Sequence, residues 1–186
     1  NTILNIYTNK EEEEIVKKNL NFTNKYVVIF PGGNWAPKIW PSGMYNDLIK
    51  KILNKFSNIK FILVGSQSEK DKYYKEITKK IDETHFIDLF GKSITLTSAY
   101  MKKSNLFIGN DSGLMHLSFA SGLKTISLFG PTNDKLYGHR KNNCFVIRTK
   151  ETFKDFNNMD INPKKSYMNS IESNKVLDLI IENKLL

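Results

Sequence analysis

Cysteine is nearly absent: Cys144 is the one thiol, which excludes an internal disulfide and a cysteine-based metal cluster and makes a reducing compartment the simplest setting. No apolar run approaches the roughly 20 residues of a membrane-spanning helix, and no signal-peptide pattern is visible, so the expectation is a soluble, cytoplasmic protein. Arginine is almost as scarce. A net charge of +9 invites a nucleic-acid partner, yet only Arg140 and Arg148 are arginine, and the lysines fall in scattered doublets such as Lys50-Lys51, Lys79-Lys80, Lys102-Lys103 and Lys164-Lys165. Nucleic-acid binders lean on the planar arginine fork. The expectation is therefore no nucleic-acid role, with weak peripheral contact to an anionic membrane surface left open. Two nucleotide motifs are missing as well. Gly91-Lys92-Ser93 lacks the earlier glycine of a Walker A loop, because Phe86 stands there, and no G-x-G-x-x-G follows the first apolar strand. A P-loop NTPase and a dinucleotide dehydrogenase are both excluded.

What the chain does have is regular alternation. Strands are predicted at residues 25–30, 60–64, 85–89, 105–109 and 124–129, with a weaker one at 144–147. Helices are predicted over residues 41–57, 69–81, 96–103 and 170–182, with another opening after Ser112; the apolar stretch 3–7 and the acidic run Glu11 to Glu14 precede the first strand. Between the weak strand and the last helix the sequence reads as irregular. Strand, loop and helix in repeated order give an α/β fold, a mostly parallel sheet with helices on both faces. At 186 residues there is room for one well-buried domain.

In such a sheet ligands sit beyond the carboxyl ends of the strands. Those ends carry Pro31-Gly32-Gly33, Gly65-Ser66-Gln67, Gly91-Lys92-Ser93, Asn110-Asp111-Ser112 and Gly130-Pro131-Thr132, all small or polar. The opposite loops, Asn58-Ile59 and Asp82-Glu83-Thr84, read as ordinary connections. The stretch NLFIGNDSGLMHLSFASG, residues 105–122, holds the most chemistry. Ser112 reads as the N-cap of a helix whose first free N–H groups, at Ser112, Gly113 and Leu114, suit a phosphate. His116 shares a helix face with Ser112 and sits near the same mouth. Read as structure alone, Asp111 and Ser112 cap that helix and Gly113 lets it pack against the strand.

The run Asn110-Asp111-Ser112-Gly113-Leu114-Met115-His116-Leu117 resembles the signature of glycosyltransferase family 9, the lipopolysaccharide heptosyltransferases, and most closely their heptosyltransferase II branch. Lys38-Ile39-Trp40-Pro41 resembles the family's Lys-x-Trp-Pro segment, and Phe129-Gly130-Pro131-Thr132 is a third match in the right order. The resemblance implies a Rossmann-like domain forming the C-terminal half of a GT-B fold. It implies residues 1–24 as an interdomain segment, 25–186 as the donor-binding domain, and an N-terminal acceptor domain outside this chain.

The expected activity is transfer of a heptose or related sugar from an ADP-sugar to a lipid-linked core oligosaccharide of lipopolysaccharide, at the inner face of the cytoplasmic membrane. No cofactor and no metal are expected beyond the donor. Lys38 suits the charge that grows on the leaving diphosphate, and the resemblance implies that role for it. Asp111 suits two neighbouring sugar hydroxyls, and the family's matching Asp lies near the sugar. Gly32 and Gly33 allow close backbone approach to the donor. Asn34 replaces a small hydroxyl residue, and Gln67 stands where some relatives carry a ribose-binding Glu. Ser112, Gly113 and His116 complete the expected nucleotide-sugar contacts. The paired glutamates of retaining relatives have no counterpart, since Glu69 and Glu76 miss their spacing, so an inverting transfer is expected. Its general base is expected outside this chain. A nucleotide-binding module of the same fold without transferase activity is the alternative.

Overall fold

The computed structural model describes residues 6–139 and 143–186. Arg140 and residues 3–5 of the apolar stretch 3–7 lie outside the described residues. The helices are α1 (Lys10–Asn19), α2 (Ser42–Lys55), α3 (Gln67–Ile77), α4 (Ile94–Met101), α5 (Gly113–Ala120), α6 (Asp134–Tyr137), α7 (Phe153–Asn157) and α8 (Ser173–Glu182). The strands are β1 (Lys25–Phe30), β2 (Ile59–Gly65), β3 (Phe86–Phe90), β4 (Leu106–Asn110), β5 (Lys124–Phe129) and β6 (Cys144–Arg148). Among the described residues these strands make one sheet in the order β3-β2-β1-β4-β5-β6, with every pairing parallel.

Both faces of the sheet are buried, and the strand period of two sorts the side chains between them. Val27, Ile29, Phe61, Leu63, Ile108 and Leu128 point to one face, where α2 and α8 cover them with Tyr45, Leu48, Ile49, Ile52, Val176 and Ile180. Val28, Phe30, Ile62, Val64, Phe107 and Phe129 point to the other, against Val16 and Leu20 at α1, Ala99 and Met101 of α4, and Met115 of α5. Each fully buried aliphatic or aromatic side chain contributes about 1.5 to 3 kcal/mol, so the two layers supply the driving force for folding. Among the described residues, no helix is long and apolar enough to cross a membrane.

Several predicted boundaries move, each for a local reason. Helix α3 starts at Gln67, before the predicted residue 69, because Ser66 and Glu69 form a reciprocal capping box. It ends at Ile77, before the predicted 81, and the chain turns through Lys80 at φ +58°. Helix α4 begins at Ile94, two residues early, where Ser93 caps the Leu96 amide. The stretch read as irregular contains α7, which opens with a Thr152–Asp155 capping box.

Position matters most at β4. Asn110, assigned to the turn by its polarity, is the last residue of the strand and fully buried.

The first and fourth strands lie side by side with their crossovers running in opposite directions. That juxtaposition is the switch point at which ligands of open parallel sheets bind, and the loops leaving it are Pro31-Gly32-Gly33 and Asp111-Ser112.

Candidate functional site

Asn110 fixes the geometry of this switch point. Its Oδ1 accepts from the Trp40 amide at 3.0 Å, and its Nδ2 donates to the Gly32 carbonyl at 2.8 Å. The Tyr45 hydroxyl, 3.2 Å from the same Oδ1 and 3.0 Å from the Phe30 carbonyl, closes the cluster. Burial pushes the Tyr45 pKa well above its usual value, so the phenol remains a donor. Trp40 stacks edge-on against Tyr45 with ring centroids 4.7 Å apart, and its indole donates to the Ile171 carbonyl.

The loop from Pro31 to Pro41 is thus stapled to the end of β4 at both of its ends. Asn110→Ala would leave the Gly32 carbonyl and the Trp40 amide buried without partners. A loss of about 2 kcal/mol is expected, readable as a lowered urea midpoint with an unchanged slope.

Lys38 is the last residue of a short 3₁₀ turn, Ala36–Lys38, on this stapled loop. Its Nζ lies 4.0 Å from Oδ2 of Asp111, and the two side chains are only 14% and 8% exposed. Two residues with β2, β3 and β4 between them in sequence are therefore brought together as a largely buried ion pair.

Asp111 does not cap α5. Ser112 does, its Oγ accepting from the Met115 amide at 3.3 Å. A Cβ built on Gly113 would meet nothing within 4 Å, so close packing against the strand is not what that glycine serves.

A cleft of about 720 Å³ opens beside this pair. Gly33, Asn34 and Lys38 wall it from the β1 loop, Gln67 from the β2 loop, and Ser112 and Gly113 from the start of α5. Phe30, Ile94, Leu114 and Leu117 give it an apolar side. That volume and that mixture suit a small polar ligand with one flat apolar part. Lys92, at the end of β3, is a second cation in the wall.

Of the expected site residues, Gly33, Asn34, Lys38, Gln67, Ser112 and Gly113 meet in the cleft, and Asp111 adjoins it through Lys38. Gly32 stands behind the wall, its carbonyl held by Asn110. His116 is placed outside the lining. Its Nδ1 sits 2.8 Å from Nε2 of His139, whose ring stacks on Phe119 at 3.9 Å. Among the described residues no group of three or more His, Cys, Asp or Glu is arranged to hold a metal ion.

Glu69 lines the cleft too, whereas in the sequence it was weighed only for its spacing to Glu76. The pattern Ser66-x-x-Glu69 directly after a strand-ending glycine was the available signal, a capping box that places a carboxylate at the site's edge.

A model of glycosyltransferase family 9 (heptosyltransferase) matches residues 4–166. Lipopolysaccharide heptosyltransferase 1 of Campylobacter coli is 28% identical over 170 residues, which cover 89% of this chain and 48% of that protein. The chain therefore spans about half the length of that curated relative. Among solved structures, E. coli ADP-heptose lps heptosyltransferase II superposes with a TM-score of 0.77 at 19% identity, over 97% of this chain and 53% of that one. E. coli heptosyltransferase WaaC with ADP gives 0.70 at 20% identity, over 92% and 48%. At such identities the structural likeness speaks for the fold: the Rossmann-like half of the GT-B architecture. The family model covers most of the residues that build the sheet and the cleft, and with it the chain belongs to glycosyltransferase family 9, the heptosyltransferases.

Proposed function

We propose that this chain is the donor-binding half of an inverting glycosyltransferase that moves a heptose or related sugar from an ADP-sugar to a lipopolysaccharide core acceptor. The observation that carries the proposal is the Lys38–Asp111 pair, 4.0 Å apart at the switch point beside the N-terminus of α5. Breaking the bond between a sugar and a diphosphate loads negative charge onto the leaving oxygen. A buried ammonium and a helix start with free N–H groups are the groups that stabilise such charge. Asp111 supplies the complementary function, a carboxylate able to accept from two sugar hydroxyls. The E. coli relative solved with ADP supports adenosine diphosphate as the nucleotide part.

In this reading the apolar side of the cleft, with Ile94 66% exposed, receives the base. Gln67 offers its amide to the ribose, and no cofactor takes part. The general base that deprotonates the acceptor, and the surface that holds the lipid-linked oligosaccharide, come from an N-terminal domain beyond residues 1–24. The reaction is placed at the cytoplasmic face of the membrane, where the protein makes peripheral contact.

Calorimetry on the full-length protein tests the donor assignment. ADP or an ADP-sugar is expected to bind more tightly at physiological salt than short DNA or RNA. The opposite order, with the steep salt dependence of phosphate-backbone contacts, would sink it. A uridine nucleotide binding best would change the donor base and leave the transferase reading in place. Binding of ADP with no sugar transfer to any core acceptor would favour the module without transferase activity.

A further inference from the structure

A groove of about 340 Å³ opens in the segment that follows β6, lined by Glu151, Phe156, Met159, Lys165, Tyr167 and Asn169 among others. It shares no lining residue with the cleft. The cleft is walled by the loops after β1, β2 and β3 and by the start of α5, so the sheet order puts cleft and groove on opposite sides of the switch point. What joins them is the loop that carries Lys38. The Tyr167 amide donates to the Pro37 carbonyl at 3.1 Å, and the Ser166 hydroxyl donates to the Ile39 carbonyl at 2.7 Å. Met168 then packs over Gly130, where a Cβ would collide with its Sδ. Residues 166–168 thus form a strap from the Lys38 loop to the end of β5.

The groove is held in shape from within. Tyr167 lies edge-on to the buried ring of Phe156, with centroids 5.9 Å apart, and its hydroxyl accepts from the Asn162 amide at 3.0 Å. The Glu151 carbonyl accepts from Nε of Arg148 at 3.1 Å and from the Thr149 hydroxyl at 2.9 Å, which fixes the backbone beneath its carboxylate. That carboxylate meets only the Ser170 hydroxyl, at 3.5 Å, and among the described residues the side chains of Lys165 and Asn169 have no hydrogen-bond partner. Met159, 44% exposed, adds apolar surface. An aromatic and apolar floor beside a carboxylate, an amide and an ammonium suits a sugar ring, which has an apolar C–H face and a rim of hydroxyls. The volume has room for about one such unit.

We propose that this groove is an acceptor subsite: it holds a sugar of the acceptor oligosaccharide on the side of Lys38 away from the nucleotide, in addition to the surface that the N-terminal domain supplies. The proposal rests on the reading of this chain as the donor half of an inverting transferase. In that displacement the acceptor oxygen bonds to the anomeric carbon as the bond to the diphosphate oxygen breaks, and the hydroxyl proton passes to the general base. Acceptor and leaving group therefore lie on opposite sides of the transferred sugar. Groove and cleft flank Lys38 in the same way.

The test is the double substitution Lys165→Ala with Asn169→Ala in the full-length protein, at side chains that are exposed and so dispensable for folding. With a de-acylated lipopolysaccharide core oligosaccharide as acceptor, the acceptor KM is expected to rise about tenfold, the scale of losing two hydrogen bonds. The donor KM and the ADP dissociation constant should stay within about twofold, and Tm should not move. Glu151→Gln, which keeps the size of the side chain and replaces one acceptor oxygen by a donor, is expected to raise the same acceptor KM. An acceptor KM unchanged in both variants overturns the proposal, as does an equal rise in donor KM, which would make the groove a support for the Lys38 loop alone. Weaker binding to vesicles of anionic phospholipid, with the acceptor KM unchanged, would make it a lipid contact and also overturns it. Failure of the unmodified protein to transfer sugar to the core oligosaccharide overturns the transferase reading itself, whereas transfer with the same acceptor KM in parent and variants overturns only the groove.

Discussion

Lys38→Ala in the full-length protein is expected to lower the rate of sugar transfer by 10² or more, the scale of removing one preorganised charge-stabilising group from a transition state at roughly 2.7 to 4 kcal/mol. The effect should fall on kcat, because the charge that Lys38 meets is larger as the glycosidic bond breaks than in the bound donor. Its position makes the lysine a preorganised group. The loop that carries it is fixed at Gly32 and Trp40 by Asn110, and its side chain is only 14% exposed. Folding should be affected less. At 4.0 Å the contact with Asp111 is at the edge of an ion pair, but its loss leaves a carboxylate only 8% exposed without its cation, so a destabilisation of about 1 to 3 kcal/mol is expected. Steady-state kinetics with an ADP-sugar, run beside a denaturation curve, measures both quantities. Activity retained within about threefold would show that Lys38 is not the leaving-group contact. The charge would then rest on the start of α5 and on Lys92.

The arrangement around Lys38 also shows what one-dimensional reasoning can and cannot find. Strand periodicity and the small, polar strand ends located the cleft, because a sheet buried on both faces leaves only its strand termini free for chemistry. Lys38, Gln67, Ser112 and Gly113 were expected at its rim on that basis and on the family resemblance, and all four line the cleft.

Asn110 was not, since polarity suggests a turn and only the strand neighbours reveal an asparagine that satisfies Trp40, Tyr45 and Gly32 inside the core. Glu69 escaped for a related reason. Its contact with Gly33 exists because β2 lies next to β1, and the order of strands in a sheet is not written in the sequence of either. His116 is the converse case. Helical spacing put it on the face of Ser112, but spacing fixes only the direction in which a side chain starts, and the imidazole ends on His139.

Asp111→Asn is expected to weaken handling of the nucleotide sugar by ten- to a hundredfold while sparing free ADP. The substitution preserves shape, replaces one acceptor oxygen by a donor and removes the charge. A charge-assisted hydrogen bond to a sugar hydroxyl is worth about 1.5 to 3 kcal/mol, which sets the size of the loss. Free ADP has no sugar beyond its ribose for Asp111 to hold, so its affinity should move little. The structural explanation for this residue is already narrow. Ser112 provides the cap of α5, leaving Asp111 with a backbone bond from its amide to the Leu128 carbonyl and a carboxylate turned to Lys38. Neither depends on the charge for the fold of the strand or the helix, and the backbone bond survives the substitution.

Stability should therefore fall by only a few tenths of a kcal/mol to about 1 kcal/mol, the range for a weak ion pair. Titration of the variant with ADP and with an ADP-sugar, read against melting temperature, separates the outcomes. Equal weakening of both ligands would move Asp111 from the sugar to the diphosphate, as a partner that orients Lys38. A large drop in melting temperature with unchanged affinities would make the pair a structural element of the switch point, and the sugar would then be held by residues outside it.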